Sequence, residues 1–270
     1  MCGISGFVVK NDDLNDCFKL KLYESLSIIQ HRGPDASDVF NEKNVGLGHV
    51  RLSILDLTDA ANQPMFSTSG RFVIVFNGEV YNFREIADEL GLINLKTKSD
   101  TEIILLGFEK IGTLLFEKLN GMFTIAIYDR FESRMWLVRD RIGIKPLYVF
   151  NDDASFIFSS EIKGITAFPA ENVGRVNECA LHEWSYYGNS LGERTLYKNI
   201  SKVLPGHYVE INTENFTHDV ICYWSVKKQL DRVPPNKNVS YDDSLIVKTS
   251  SCLESAVKRQ LVSDVPVSVF

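Results

Sequence analysis

The chain has 270 residues, 44% of them hydrophobic and 24% charged, enough to bury a sizeable core in one large domain with an appendage. Acidic residues outnumber basic ones 35 to 29, and the resulting net charge of −6 is interspersed, which argues against a general nucleic-acid binder. The longest apolar runs, at 103–108 and 122–127, fall far short of the ~20 residues of a membrane span, and residues 1–6 lack the features of a secretion signal.

In chain order, short strands read at 4–9, 45–52, 71–77, 123–129, 135–140 and 156–159, rich in Val, Ile and Phe and bounded by Gly, Asn or Asp. Residues 20–29 carry apolar side chains at 20, 22, 26, 28 and 29, one face of a helix. Ser99-Asp100-Thr101-Glu102 reads as a capping box opening a second helix through 103–108. Blocks of antiparallel strands with grouped helices predict an α+β layered domain rather than an alternating βαβ chain. Composition shifts at 229–240, where Pro234-Pro235 sits among polar residues. That stretch reads as a linker. Beyond it, 241–261 is helical, with Leu245, Cys252, Ala256, Val257 and Leu261 on one face, and 266–270 opens a strand that stops at its first residues. The expected organisation is therefore a domain at 2–228, a linker at 229–240, and the first helix and strand of a truncated second domain at 241–270.

Five cysteines without a spacing pattern suit a reducing cytoplasm better than a disulfide framework. The Asn-x-Ser/Thr triplets at Asn199, Asn215 and Asn238 are then chance matches. Cys179 and His182 have one metal-like spacing but no second pair, so no metal site is expected.

The most informative residue is Cys2. Removal of the initiator Met before a small residue leaves Cys2 with a free α-amine, whose pKa of about 7.7–8.0 makes it a usable base at neutral pH. Beside its own thiol, that amine can generate the thiolate without a histidine or carboxylate partner. His31, His49, His182, His207 and His218 need no catalytic role in such a scheme, and Cys17, Cys179, Cys222 and Cys252 read as packing or surface thiols. Taken singly, the other candidates have plainer readings. Asn77-Gly78 is also the commonest tight-hairpin dipeptide. Asp100 could serve the helix dipole at a helix start. Arg51 could be an ordinary surface arginine.

Their company changes the reading. Met1-Cys2-Gly3-Ile4-Ser5-Gly6, His31-Arg32-Gly33-Pro34-Asp35, Arg51-Leu52-Ser53-Ile54, Phe76-Asn77-Gly78-Glu79-Val80-Tyr81-Asn82 and Ser99-Asp100-Thr101-Glu102 follow one another in register. Together they resemble the glutaminase domain of class II glutamine amidotransferases, and the His-Arg-Gly-Pro-Asp form points to glutamine-hydrolysing asparagine synthetases. The segments 139–148 and 159–163 resemble later parts of the same family. The resemblance implies the N-terminal-nucleophile hydrolase fold, a four-layer αββα sandwich of two antiparallel sheets. It implies Cys2 as nucleophile, with the Asn77 side-chain amide and the Gly78 backbone N–H as oxyanion hole. Arg51 would meet the α-carboxylate of L-glutamine, and Glu79 and Asp100 its α-ammonium; Leu52 and Ile54 complete the expected substrate site.

The same resemblance implies that ammonia passes to a synthetase domain in the full-length chain, for ATP-dependent conversion of aspartate to asparagine. Residues 263–270 resemble the approach to that domain's pyrophosphate loop, which this sequence does not contain. ATP and magnesium are therefore expected only with the missing part, and no cofactor for the glutaminase half. Two other readings remain open at this point: an amidotransferase with another acceptor, such as a sugar carboxylate, and a catalytically silent docking or dimerisation module. The presence of Cys2 speaks against the second, and a homodimer is compatible with any of them.

Overall fold

The computed structural model describes residues 2–10, 12–169, 173–232 and 243–266. Among these residues are twelve strands: β1 (Gly3–Val9), β2 (Ala36–Glu42), β3 (Val45–Arg51), β4 (Met65–Phe66), β5 (Phe72–Val80), β6 (Gly121–Asp129), β7 (Arg134–Arg139), β8 (Tyr148–Asn151), β9 (Ser155–Ser159), β10 (Ile200–Lys202), β11 (His207–Asn212) and β12 (Thr217–Cys222). The helices are α1 (Asp12–Ile29), α2 (Phe83–Leu90), α3 (Asp100–Ile111), α4 (Leu114–Lys118), α5 (Ile162–Ile165), α6 (Glu178–Tyr187), α7 (Val226–Leu230) and α8 (Asp243–Gln260).

The strands form two six-stranded antiparallel sheets, ordered β10-β8-β9-β1-β3-β2 and β12-β11-β7-β6-β5-β4. Period-two alternation sends side chains of each central strand to opposite faces, and both faces are covered. Ile4 and Val8 of β1, Val73 and Val75 of β5, Ala126 and Tyr128 of β6 and Leu137 of β7 fill the space between the sheets. Phe7 and Val9 point the other way and meet Phe18 and Leu22 of α1 and Ile165 of α5. On the outside of the second sheet, Ile74, Phe76 and Ile125 meet Ile103, Ile104 and Phe108 of α3 and Phe116 of α4. The order is helix, sheet, sheet, helix. The expected αββα sandwich is the observed one.

The six strands read from sequence all exist, with ends shifted by at most three residues. The first helix is longer than expected, because its polar beginning at Asp12 hides the turns before residue 20. The capping box at Ser99 is half built. Ser99 Oγ accepts the Glu102 N–H at 3.4 Å, while the Glu102 carboxylate accepts the N–H groups of Lys96 and Thr97 rather than that of Ser99. The helix expected at 241–261 is α8, within its described residues; of the linker expected at 229–240, residues 233–240 lie outside the described residues, as do 267–270 of the terminal strand.

Candidate active site

Cys2 immediately precedes β1, and three segments fix that end of the strand. Arg32 Nε donates to the Cys2 carbonyl at 3.0 Å, and Arg32 Nη1 pairs with Glu161 at 2.9 Å. Ser160 Oγ accepts the Ile4 N–H at 3.0 Å. Gly33 lets the chain run against β3, since a Cβ there would lie 2.4 Å from the Val50 carbonyl. Asp35 completes the clamp: its N–H donates to Arg51 O at 3.0 Å and its carboxylate accepts the Ser53 N–H at 2.7 Å. The His-Arg-Gly-Pro-Asp segment thus positions both the thiol and the end of β3.

The Cys2 thiol lies against Leu52, accepting its N–H at 3.3 Å and facing its carbonyl at 3.5 Å. Burial pushes the thiol above its ordinary range; the Leu52 N–H and the Arg51 charge oppose this, and Asp100 adds to it. A thiol held up in this way needs a base close by before it can react. In front of it opens a cleft of about 340 Å³, lined by Cys2, Arg51, Leu52, Ile54, Asn77, Gly78, Glu79 and Asp100 among others. All eight candidate residues from the sequence therefore share one cavity. Ligand pockets run from about 300 to 1,000 Å³, so this one suits a molecule of amino-acid size.

Asn77 and Gly78 do not form a hairpin turn. They lie inside β5, opposite Thr124 and Phe123 of β6. Gly78 is required by the close approach of the two strands, because a Cβ would fall 2.1 Å from the Met122 carbonyl oxygen. Asn77 is fully buried. Its Nδ2 reaches only the Ser160 hydroxyl, at 3.5 Å, and its Oδ1 has no partner among the described residues. A buried, under-used amide on a cleft is poised to hydrogen-bond something that enters it.

Asp100 is the first residue of α3 and is buried, with Oδ2 accepting the Val80 N–H at 2.9 Å. Burial, reinforced by the neighbouring Glu79 charge and opposed by the Val80 N–H, pushes its carboxyl up to about 7. Glu79 is half-buried, and burial raises its carboxyl too, against the pull of Lys145. Two neighbouring carboxylates, each pushed up by burial, make a site that a cation would relieve.

Arg51 ends β3 and is buried, so it is no surface arginine. Nη1 donates to Thr58 O at 2.9 Å and Asn62 Oδ1 at 2.6 Å; Nη2 donates to Leu55 O at 3.4 Å and to Asp56 O. The guanidinium folds the loop at 55–62 around itself on the rim of the cleft.

Comparison with known proteins gives the family and the fold. Residues 1–224 match the family model described as a glutamine amidotransferase domain. The chain belongs to that family. It is 32% identical over 289 residues to a putative glutamine-hydrolysing asparagine synthetase 2 of Methanocaldococcus jannaschii, covering all of this chain and 54% of that protein. It is 34% identical over 275 residues to the glutamine-hydrolysing asparagine synthetase 2 of Bacillus subtilis, again over the whole chain but only 36% of the relative. The chain thus spans about half or less of these relatives' length. Among solved structures, the glutamine phosphoribosylpyrophosphate amidotransferase of B. subtilis matches with a TM-score of 0.60 and 17% identity, covering 83% of this chain and 49% of that one. That likeness carries the fold.

The cleft also contains residues from the 139–148 segment, to which no role is assigned from sequence. Ile144 and Lys145 line it, presented by the loop after β7. Buried Asp140 organises that loop: one carboxylate oxygen accepts the N–H groups of Ile142, Gly143 and Ile144, the other those of Phe123 and Lys145. Arg139 ties the loop down through the carbonyls of Lys145, Val203 and Gly143. Lys145 is buried, and burial lowers its ammonium against the pull of Glu79. In the sequence, the signal for this loop is the Arg139-Asp140 pair ahead of Gly143. His49 is buried with Nε2 3.1 Å from the Phe76 carbonyl, and burial lowers its ring to about 3, so it stays neutral. Among the described residues no His, Cys, Asp and Glu cluster could hold a metal, and no helix is long and apolar enough to cross a membrane.

Proposed function

We propose that this amidotransferase domain hydrolyses L-glutamine to glutamate and ammonia, with Cys2 as nucleophile once Met1 has been removed. The observation that carries the reading is the composition of one small cleft: a thiol at the start of β1, an under-used amide at Asn77, and the paired carboxylates Glu79 and Asp100. The Cys2 α-amine takes the thiol proton as sulfur attacks the carboxamide carbon. Oxyanion charge then develops, and the Asn77 amide and Gly78 N–H donate to it. The amine returns its proton to the leaving nitrogen, which departs as ammonia and leaves a thioester. Water, activated by the same amine, hydrolyses the thioester to glutamate and restores the thiol. Glu79 and Asp100 receive the α-ammonium and Arg51 the α-carboxylate, with Leu52 and Ile54 packing beside the chain of the substrate.

The relatives are named as glutamine-hydrolysing asparagine synthetases, which extends the proposal to a longer protein in which ammonia passes to a synthetase domain for asparagine formation. ATP and magnesium would act there, and the glutaminase step needs neither. We assign domain bounds of 2–228 for the glutaminase unit, with 229–240 as linker and 241–270 as the start of the synthetase unit.

The test is glutamate release by the pure chain, shown by intact mass to begin at Cys2. Turnover is expected, and Cys2→Ala should abolish it with the fold intact. A tag retained ahead of Cys2 should abolish it as well. Undiminished turnover in Cys2→Ala would overturn the nucleophile, and undiminished turnover with the tag in place would overturn the amine as base.

A further inference from the structure

The segment after α8 reaches back to the rim of the cleft. Asp264 Oδ2 accepts the Asp56 N–H at 2.8 Å, and the Asp264 N–H donates to the Ile54 carbonyl at 3.0 Å. The loop held in this way is the one folded around the Arg51 guanidinium. Asp56 is its joint: buried, with φ at +50°, in the left-handed region that Asp tolerates better than most side chains. Its carbonyl accepts from Arg51 Nη2. One carboxylate oxygen accepts from Thr58, the other from the Lys98 N–H at 2.7 Å, two residues ahead of Asp100.

We infer that Asp264 is a positioning residue for the glutamine cleft, fixing Ile54 and Asp56 and, through the Asp56 carbonyl, the direction of the Arg51 guanidinium. This rests on the proposed glutaminase reaction. Arg51 and Ile54 serve the substrate away from the bond being cut, so loss of the Asp264 carboxylate acts on glutamine affinity rather than on the chemical step. Leu52, which touches the Cys2 sulfur, is held from the other side by the clamp of Asp35 on Arg51 and Ser53, and is spared. Coupling is reciprocal, so bound glutamine in turn slows exchange of the Asp264 amide.

The experiment compares the parent chain with Asp264→Ala, Asp264→Asn and Arg259→Gln. The last breaks the 3.2 Å pair with Glu85 that ties α8 to α2, while leaving Asp264 in place. Asp264→Ala should raise KM for glutamine about tenfold, the scale of one lost charge-assisted hydrogen bond, with kcat within about twofold. Asp264→Asn keeps an acceptor oxygen and should recover most of that loss. Arg259→Gln should leave KM unchanged. Amide exchange at Asp56, which needs no turnover, should speed up in Asp264→Ala. An unchanged KM in Asp264→Ala, a fall in kcat alone, or an equal rise in KM in Arg259→Gln would overturn the assignment. If the parent chain itself released no glutamate, the proposed function would fall, and unchanged exchange at Asp56 would overturn the contact separately.

Discussion

Asn77 and Asp100 share one cleft but answer different parts of the proposed substrate. The Asn77 amide is needed most where negative charge develops, so Asn77→Ala should lower kcat by about 10²–10³ and leave KM nearly unchanged. A rise in KM alone would refute the oxyanion role. Asp100 must be ionised to receive an ammonium, and burial holds its carboxyl at about 7. KM for glutamine should therefore fall between pH 6 and pH 8, and that step should vanish in Asp100→Asn. The same shift has the opposite sign for stability. A raised carboxyl favours the folded state fully below its unfolded value of 3.8, and that contribution is lost as pH rises through about 7. Thermal unfolding of parent and Asp100→Asn at pH 5 and pH 8 should show the parent losing more over that span. Unequal behaviour of the two carboxylates was not legible in the sequence, because it arises from burial and from Glu79, and neither shows in a motif.

Elements with both faces covered were the legible ones. β5 and β6 alternate between the inter-sheet core and the α3 side, so their side chains are apolar on either face and the run at 122–127 stands out. β12, mostly exposed at a sheet edge, reads as Thr-His-Asp-Val-Ile-Cys and gives no such signal. The two-residue β4 and three-residue β10 are too short for any periodicity to register. Asn77-Gly78 shows how a local rule misleads: the dipeptide favours a turn, yet the strand continues through it, because only glycine lets β6 approach. Gly78→Ala should accordingly push β6 away, costing about 1–3 kcal/mol of stability and lowering turnover together. Urea unfolding and glutamate release on the same preparation would check both. Unchanged stability would mean that the strands separate freely there.

Across the whole molecule, α8 contributes no buried side chain, although Val262 just beyond it packs against the α3-side core. Leu253 and Val257 on that helix are 65% and 52% exposed, whereas Leu137 between the sheets is fully buried. Leu253→Ala and Val257→Ala should each change stability by no more than about 0.5 kcal/mol, against about 2–5 kcal/mol for Leu137→Ala. Comparable losses would show that α8 is packed in solution. The cleft belongs to this scale as well, since it draws on the start of β1, the end of β3, the middle of β5, the first turn of α3 and the loop after β7. Only the order of motifs along the chain, through the family resemblance, made its main residues readable. The direction of the Arg51 fork, the Asp140-centred loop and the return of Asp264 depend on contacts between segments far apart in sequence, which no local pattern encodes. The most direct test of the central claim is to treat the Cys2-first chain with a diazo-ketone analogue of glutamine and map the adduct by peptide mass. One adduct per chain is expected, on Cys2, suppressed by excess glutamine; modification of Cys17 or Cys252 instead, or none at Cys2, would contradict Cys2 as the nucleophile.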